Sequence, residues 1–180
     1  TAYLERINKI KEHIQLGDVY ELNFCQLIES SPIEIHSIQP YFTTLWEKNP
    51  TPFAGLIETA DWMLASASPE RFIQKKGTKL ISQPIKGTAP RGKTDLEDLQ
   101  YRNNLQTSQK ERAENVMIVD LVRNDLSQVA AKGSVHVDEL CEIYSFPTVH
   151  QMISTISCEL KEEMSFSDIL KASFPMGSMT

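Results

Sequence analysis

Leu4, Ile7, Ile10 and Ile14 recur at the spacing of one helix face, so the chain opens on a helix, with Gly17 as its stop. The period then changes. Residues 19–28 alternate, with Glu21, Asn23 and Cys25 on one side and Tyr20, Leu22 and Phe24 on the other, which reads as a strand. Residues 37–48 read as a helix that tolerates Pro40 only in its first turn. The runs 53–58, 62–67, 71–75 and 79–83 read as strands of an antiparallel meander, turning at Ala60-Asp61 and Lys76-Gly77. Thr94-x-x-Glu97 and Ser108-x-x-Glu111 have capping-box form, so one helix starts near Asp95 and a second runs to about Leu126. The second is apolar nearly all round (Val116, Met117, Ile118, Val119, Leu121, Val122), the pattern of a buried helix. Residues 135–156 read as two further strands broken near Pro147, and Ser165 caps a last helix over 166–173. Strands and helices mixed without a regular βαβ repeat predict an α+β fold, with mostly antiparallel sheets and flanking helices.

The chain has 180 residues, 41% of them hydrophobic, enough to bury a core as one domain. A formal charge of −6 argues against a general nucleic-acid binder, which needs clustered Lys and Arg, but not against a small anionic substrate. Cys25, Cys141 and Cys158 are odd in number and lack metal spacing, so they read as reduced thiols of a cytoplasmic protein. No run approaches the ~20 apolar residues of a membrane span, and neither a signal peptide nor a repeat is visible.

Candidate chemistry is concentrated in Pro84-Ile85-Lys86-Gly87-Thr88, continued by Ala89-Pro90-Arg91-Gly92. Lys86 stands between an apolar residue and a glycine at the expected exit of a strand. Gly87 lets backbone approach a ligand closely. Lys86 is then a candidate amine nucleophile, and Thr88 and Arg91 are candidate anion holders; the bland alternative is a surface loop. Glu111 and Glu114 lie three apart on one helix face, a placement that suits Mg²⁺ bound directly or through water. The alternative is a capping residue beside an exposed charge. Glu70, in Ser-Pro-Glu between two strands, would have a raised pKa in a partly dry pocket and could donate a proton; otherwise it is a solvated turn residue. Asp120, Arg123, Asn124 and Asp125 fall in the apolar helix, and because buried charge must be paired they are expected to form a network holding the site. A lone strand histidine such as His150 is usually packed and hydrogen-bonded.

Six ordered stretches give these residues a common context. They are Gly17-Asp18-Val19-Tyr20-Glu21-Leu22-Asn23, Asn49-Pro50-Thr51-Pro52-Phe53, Ser68-Pro69-Glu70-Arg71-Phe72, the lysine motif, Glu111-Arg112-Ala113-Glu114-Asn115 running on through Met117 to Leu126, and Pro147-Thr148-Val149-His150-Gln151-Met152. The chain stops in Phe174-Pro175-Met176-Gly177-Ser178-Met179-Thr180. Over nearly its whole length it resembles the chorismate-utilising enzymes: anthranilate synthase component I, aminodeoxychorismate synthase component I, isochorismate synthase and salicylate synthase. The resemblance implies a fold like that of anthranilate synthase component I. It also implies that residues 1–180 are part of a single chorismate-binding catalytic domain, truncated at both ends.

Within that family a lysine at the Lys86 position marks the aminodeoxychorismate synthase branch, where anthranilate synthases usually carry alanine. The implied activity is amination of chorismate to 4-amino-4-deoxychorismate, on the para-aminobenzoate route to folate. The ammonia would come from a glutamine amidotransferase subunit, and Lys86 would form a covalent intermediate or act as a fixed cation. The resemblance further implies Glu70 as general acid, Mg²⁺ on Glu114 with Glu111 close by, and substrate contacts from Gly87, Thr88, His150, Gly177, Ser178 and Thr180. Glu21 departs from the family, which commonly has glutamine in the ammonia-using and lysine in the water-using synthases at that place; an ionised carboxylate there would steer ammonia or ammonium. Two alternatives stay open: an anthranilate synthase component I or another chorismate-utilising synthase, and a non-catalytic piece with at most partial binding.

Overall fold

The computed structural model describes residues 2–20, 22–29 and 35–179. Two compact units divide the chain, residues 1–34 with 179–180, and residues 35–178.

In the first unit, helix α1 (Ala2–Leu16) ends at Gly17, whose φ of 78° is the left-handed stop the sequence predicts. His13 and Asp18 close this end with a 2.7 Å contact. The strand expected over 19–28 is not formed: among the described residues the segment has no regular structure. Alternation supplies two faces but no ladder partner, and an unpaired strand is not stable. Phe24 instead brings its ring 5.6 Å from that of Tyr3 on α1.

The second unit opens with α2 (Gln39–Lys48), Pro40 lying in its first turn. Strands β1 (Phe53–Glu58) and β2 (Met63–Ser68) form a two-stranded antiparallel sheet of their own. A five-stranded antiparallel sheet holds β3 (Arg71–Lys76), β4 (Lys79–Gln83), β5 (Ile85–Pro90), β6 (His136–Ser145) and β7 (Val149–Glu159). The four early runs are therefore strands, as predicted, but not one meander. β2 and β3 do not pair: the link between them is Pro69-Glu70, and the fixed negative φ of proline excludes the tight hairpin turns that need φ > 0. β7 is the central strand. β4 and β5 follow each other along one of its edges, separated by Pro84, and β6 covers the other. Pro84 keeps its place through its carbonyl, which accepts the Ser154 N–H at 3.3 Å.

Helices α3 (Asp95–Thr107), α4 (Gln109–Val129) and α5 (Phe166–Ser173) complete the unit. Thr94, Ser108 and Ser165 cap them as the sequence predicts. Only Ser165 with Asp168 forms a reciprocal box; Glu97 accepts from the Lys93 N–H instead. One face of α4 (Ile118, Val119, Val122, Leu126, Val129) packs with Leu80, Ile156, Cys158 and Ile169 in the main core. The opposite face is not buried, for Val116 is 40% and Leu121 37% exposed. An all-round apolar pattern states what a helix tolerates, while the number of neighbouring layers decides what it buries. Asp120 and Arg123 pair at 2.8 Å on that outer face, so this part of the expected buried network is a solvent-exposed ion pair, while Asp125 is half-buried. Among the described residues no helix is long and apolar enough to cross a membrane, and Cys25, Cys141 and Cys158 are free thiols.

Candidate active site

Where β5 runs beside β7, the pairing slips. Ile85 opposes Ile153, but Thr88 opposes Gln151, so β5 carries one extra residue at Lys86-Gly87. The lysine thus lies within a strand, at a bulge, and not at a strand exit. Gly87 has φ 98°, a conformation that L side chains rarely adopt. A Cβ on it would stand 3.2 Å from Glu111 Oε2 and 3.2 Å from Leu105 Cδ1, so the lysine strand lies directly against α3 and the start of α4. Thr88, the next residue, is exposed.

Glu70 reaches the same strand from the β2–β3 link. Its Oε1 accepts the Ile85 N–H at 3.1 Å, and its own N–H donates to Ser68 Oγ at 3.4 Å. Burial pushes the Glu70 carboxyl above the ordinary glutamate range, and Ser178, the Ile85 N–H and the Lys86 charge pull it part of the way back. The buried Ser178 hydroxyl lies beside Glu70 but has no partner at hydrogen-bonding geometry among the described residues. Glu70 and Ser178, with Pro84, Val122, Asp125 and Gly177, line a cavity of about 10 Å³, room for about one water. Burial raises the Asp125 carboxyl as well. Gly177 is packed so closely on α4 that a Cβ would come within 2.7 Å of Leu121 Cδ2.

Glu111 and Glu114 share one face of α4, and Lys110 Nζ stands 3.7 Å from a carboxylate oxygen of each. Among the described residues no cluster of three His, Cys, Asp or Glu side chains gathers around a metal-sized space. Two carboxylates nevertheless suit Mg²⁺, which binds through one or two of them and keeps several waters.

His150 lies on β7, fully buried, with Nδ1 2.8 Å from Ser145 Oγ and Nε2 3.0 Å from Asp98 Oδ1. Asp98 also accepts from Arg91 Nε at 2.7 Å and from the Gly92 N–H at 2.8 Å. The Arg91 guanidinium, followed by that N–H, holds Asp98 well below the usual carboxylate range. Arg91, a candidate anion holder by sequence, is occupied by Asp98 and by the Phe146 carbonyl at 2.6 Å. The structure therefore brings Lys86, Gly87, Glu70, Glu111 and Ser178 into one neighbourhood and ties the buried His150 to Asp98 and Ser145. Glu21 and Thr180 lie outside the described residues.

Two residues that sequence reasoning did not single out matter here. Asn115 is fully buried on the packed face of α4. It sits three and four positions before Ile118 and Val119, so helical periodicity gave a signal for it. Asp98 gave none, because only the fold brings α3 to β7.

The arrangement has close parallels. A family model described as chorismate binding enzyme matches residues 1–180, and the chain belongs to that family. It is 40% identical over 179 residues to the aminodeoxychorismate synthase component 1 of Bacillus subtilis (strain 168), covering 99% of this chain and 38% of that protein. It is 36% identical over 179 residues to an anthranilate synthase component 1 of Haloarcula marismortui, covering 99% of this chain and 35% of that protein. The crystal structure of anthranilate synthase component I from Streptococcus pneumoniae TIGR4 superposes with a TM-score of 0.70 at 28% identity, over 80% of this chain and 31% of that one. The α+β fold expected from the sequence is the one observed. The chain spans about two-fifths of the length of the Bacillus relative.

Proposed function

We propose that the chain is the chorismate-binding part of a cytoplasmic aminodeoxychorismate synthase component I, which aminates chorismate to 4-amino-4-deoxychorismate. The observation that carries this reading is the meeting of Lys86, at a strand bulge, with a carboxyl group whose pKa burial has raised, Glu70. The 40% identity to a relative of that name supports it.

In the proposed reaction the Lys86 amine adds to ring carbon 2 of chorismate, the ring electrons shift, and the bond from carbon 4 to its hydroxyl breaks. Glu70 donates the proton that lets the hydroxyl leave as water. Ammonia then adds at carbon 4, the electrons shift back, and the bond to Lys86 breaks. The proton lost by the incoming ammonia returns to Glu70, so the site ends as it began. The ammonia is supplied by a glutamine amidotransferase subunit, in keeping with the component numbering of the relatives. Glu114, with Glu111 directly or through water, would hold Mg²⁺, whose charge serves to bind a substrate carboxylate. Gly87, Thr88, Gly177 and Ser178 contribute backbone N–H groups and hydroxyls to substrate binding.

A second reading, anthranilate synthase component I, is favoured by the Haloarcula relative and by the Streptococcus fold. Incubating the full-length protein with chorismate, Mg²⁺ and ammonium separates the two. The expected product is 4-amino-4-deoxychorismate, and anthranilate would select the second reading. Lys86→Ala is expected to slow the reaction strongly with an unchanged circular dichroism spectrum. Wild-type turnover by that variant would reduce Lys86 to a binding role.

A further inference from the structure

Asn115, one residue past Glu114, joins α4 to three strands. Its Nδ2 donates to the Lys86 carbonyl at 3.4 Å and to the Met152 carbonyl at 3.2 Å. Its Oδ1 accepts the Ser154 hydroxyl and faces the Cys141 thiol at 3.7 Å. The sheet is irregular at both contacts. β5 slips against β7 between Ile85 and Thr88, and β6 slips between Glu139 and Glu142, where Cys141 has φ 57° and gives its N–H to Ser154 Oγ. A bulge takes backbone groups out of the ladder, and buried ones need another partner. A carboxamide has two N–H donors on one side and an acceptor on the other, which matches two carbonyls facing a hydroxyl and a thiol. An ionised aspartate offers no donor, and a leucine offers neither.

We propose that Asn115 is the positioning residue for Lys86. By holding the Lys86 carbonyl at the bulge it fixes the direction in which the lysine side chain leaves β5. It also ties that direction to the helix that carries Glu111 and Glu114. Asn115 does not touch substrate; it acts through Lys86, and the inference rests on the reading of Lys86 as the reacting group.

The test uses Asn115→Leu, Asn115→Asp and the milder Ser154→Ala in the full-length protein. Three quantities are read: kcat and KM for chorismate, the melting temperature, and the rate at which an amine-acylating reagent labels Lys86 and the exposed Lys75, resolved by peptide mass spectrometry. The Asn115 variants are expected to lose kcat by roughly 10- to 100-fold, the scale of an ångström-level misplacement. KM should stay near its wild-type value, and Lys86 labelling should change several-fold while Lys75 labelling does not. Ser154→Ala should move Lys86 labelling in the same direction by less, and this variant keeps the test open if the others do not fold. Wild-type kcat in a folded Asn115 variant overturns the proposal. So does a loss of kcat that only follows the unfolded fraction, or Lys86 labelling in Ser154→Ala equal to wild type. If Lys86→Ala turns over normally, the lysine chemistry itself is wrong, and the labelling still decides whether Asn115 holds Lys86.

Discussion

A Cβ on Gly87 would stand 3.2 Å from the Glu111 Cβ, so the strand that carries the lysine and the helix that carries the acidic pair meet where one of them has no side chain. Gly87→Ala must place a methyl group there and also hold φ near 98°. The expected cost is about 1–3 kcal/mol of stability, together with a marked loss of activity as β5 is pushed from α4. Urea denaturation and steady-state kinetics measure the two effects. An alanine variant that is as stable and as active as wild type would show that neither the close approach nor the left-handed backbone matters.

The acidic pair should not be symmetric. Glu114 is the more exposed of the two, whereas Glu111 packs under Gly87. Glu114→Gln is therefore expected to raise the Mg²⁺ concentration needed for half-maximal activity more than Glu111→Gln does, because Mg²⁺ depends on charged oxygen ligands. Titrating activity against Mg²⁺ for both variants gives the order. Equal and negligible shifts would return both residues to capping and surface charge.

Asp98 makes stability depend on pH with a definite sign. Its pKa is lowered by Arg91, the Gly92 N–H and His150, so the unfolded chain takes up its proton first as pH falls. Its contribution is complete above the unfolded aspartate pKa of about 3.9, and it is lost as pH falls from there toward the depressed folded value. Asp98→Asn should lower the melting temperature at pH 7, and the gap to wild type should narrow at pH 3. A gap of constant size at both pH values would mean that the ionised form of Asp98 is not what stabilises the fold.

Residues 1–180 by themselves are expected not to turn over chorismate. The described residues supply two carboxylates for a metal and a cavity of about 10 Å³ beside Glu70, and the chain corresponds to 38% of the Bacillus relative. Electrostatic stabilisation is strong only in a complete, dry pocket. The measurement is chromatography after incubation with chorismate, Mg²⁺ and high ammonium. Clear formation of 4-amino-4-deoxychorismate by this chain would falsify the view that much of the pocket comes from elsewhere.

Local chemistry was legible in the sequence wherever a few neighbouring residues settle the outcome. Ser165, Thr94 and Ser108 specified helix starts because a cap is satisfied within one turn. Gly17 and Gly77 specified their turns because only a residue without Cβ adopts φ of 78° or 62° at no cost. The ordered motifs from Gly17 to Thr180 specified the family. What the sequence could not state was which distant elements become neighbours. Among the described residues the alternation over 19–28 lacked a partner, Val116 and Leu121 of α4 stayed exposed, and Arg91 was claimed by Asp98. The slip of β5 against β7 is the same kind of fact: it depends on the two strands together, and no run of residues in either encodes it alone. That pairing sets Lys86 at a bulge, puts Asn115 behind it and brings Glu70 to the Ile85 N–H, because contacts between remote segments are fixed by the packing of the whole sheet against α4 and not by the propensities of the residues that make them.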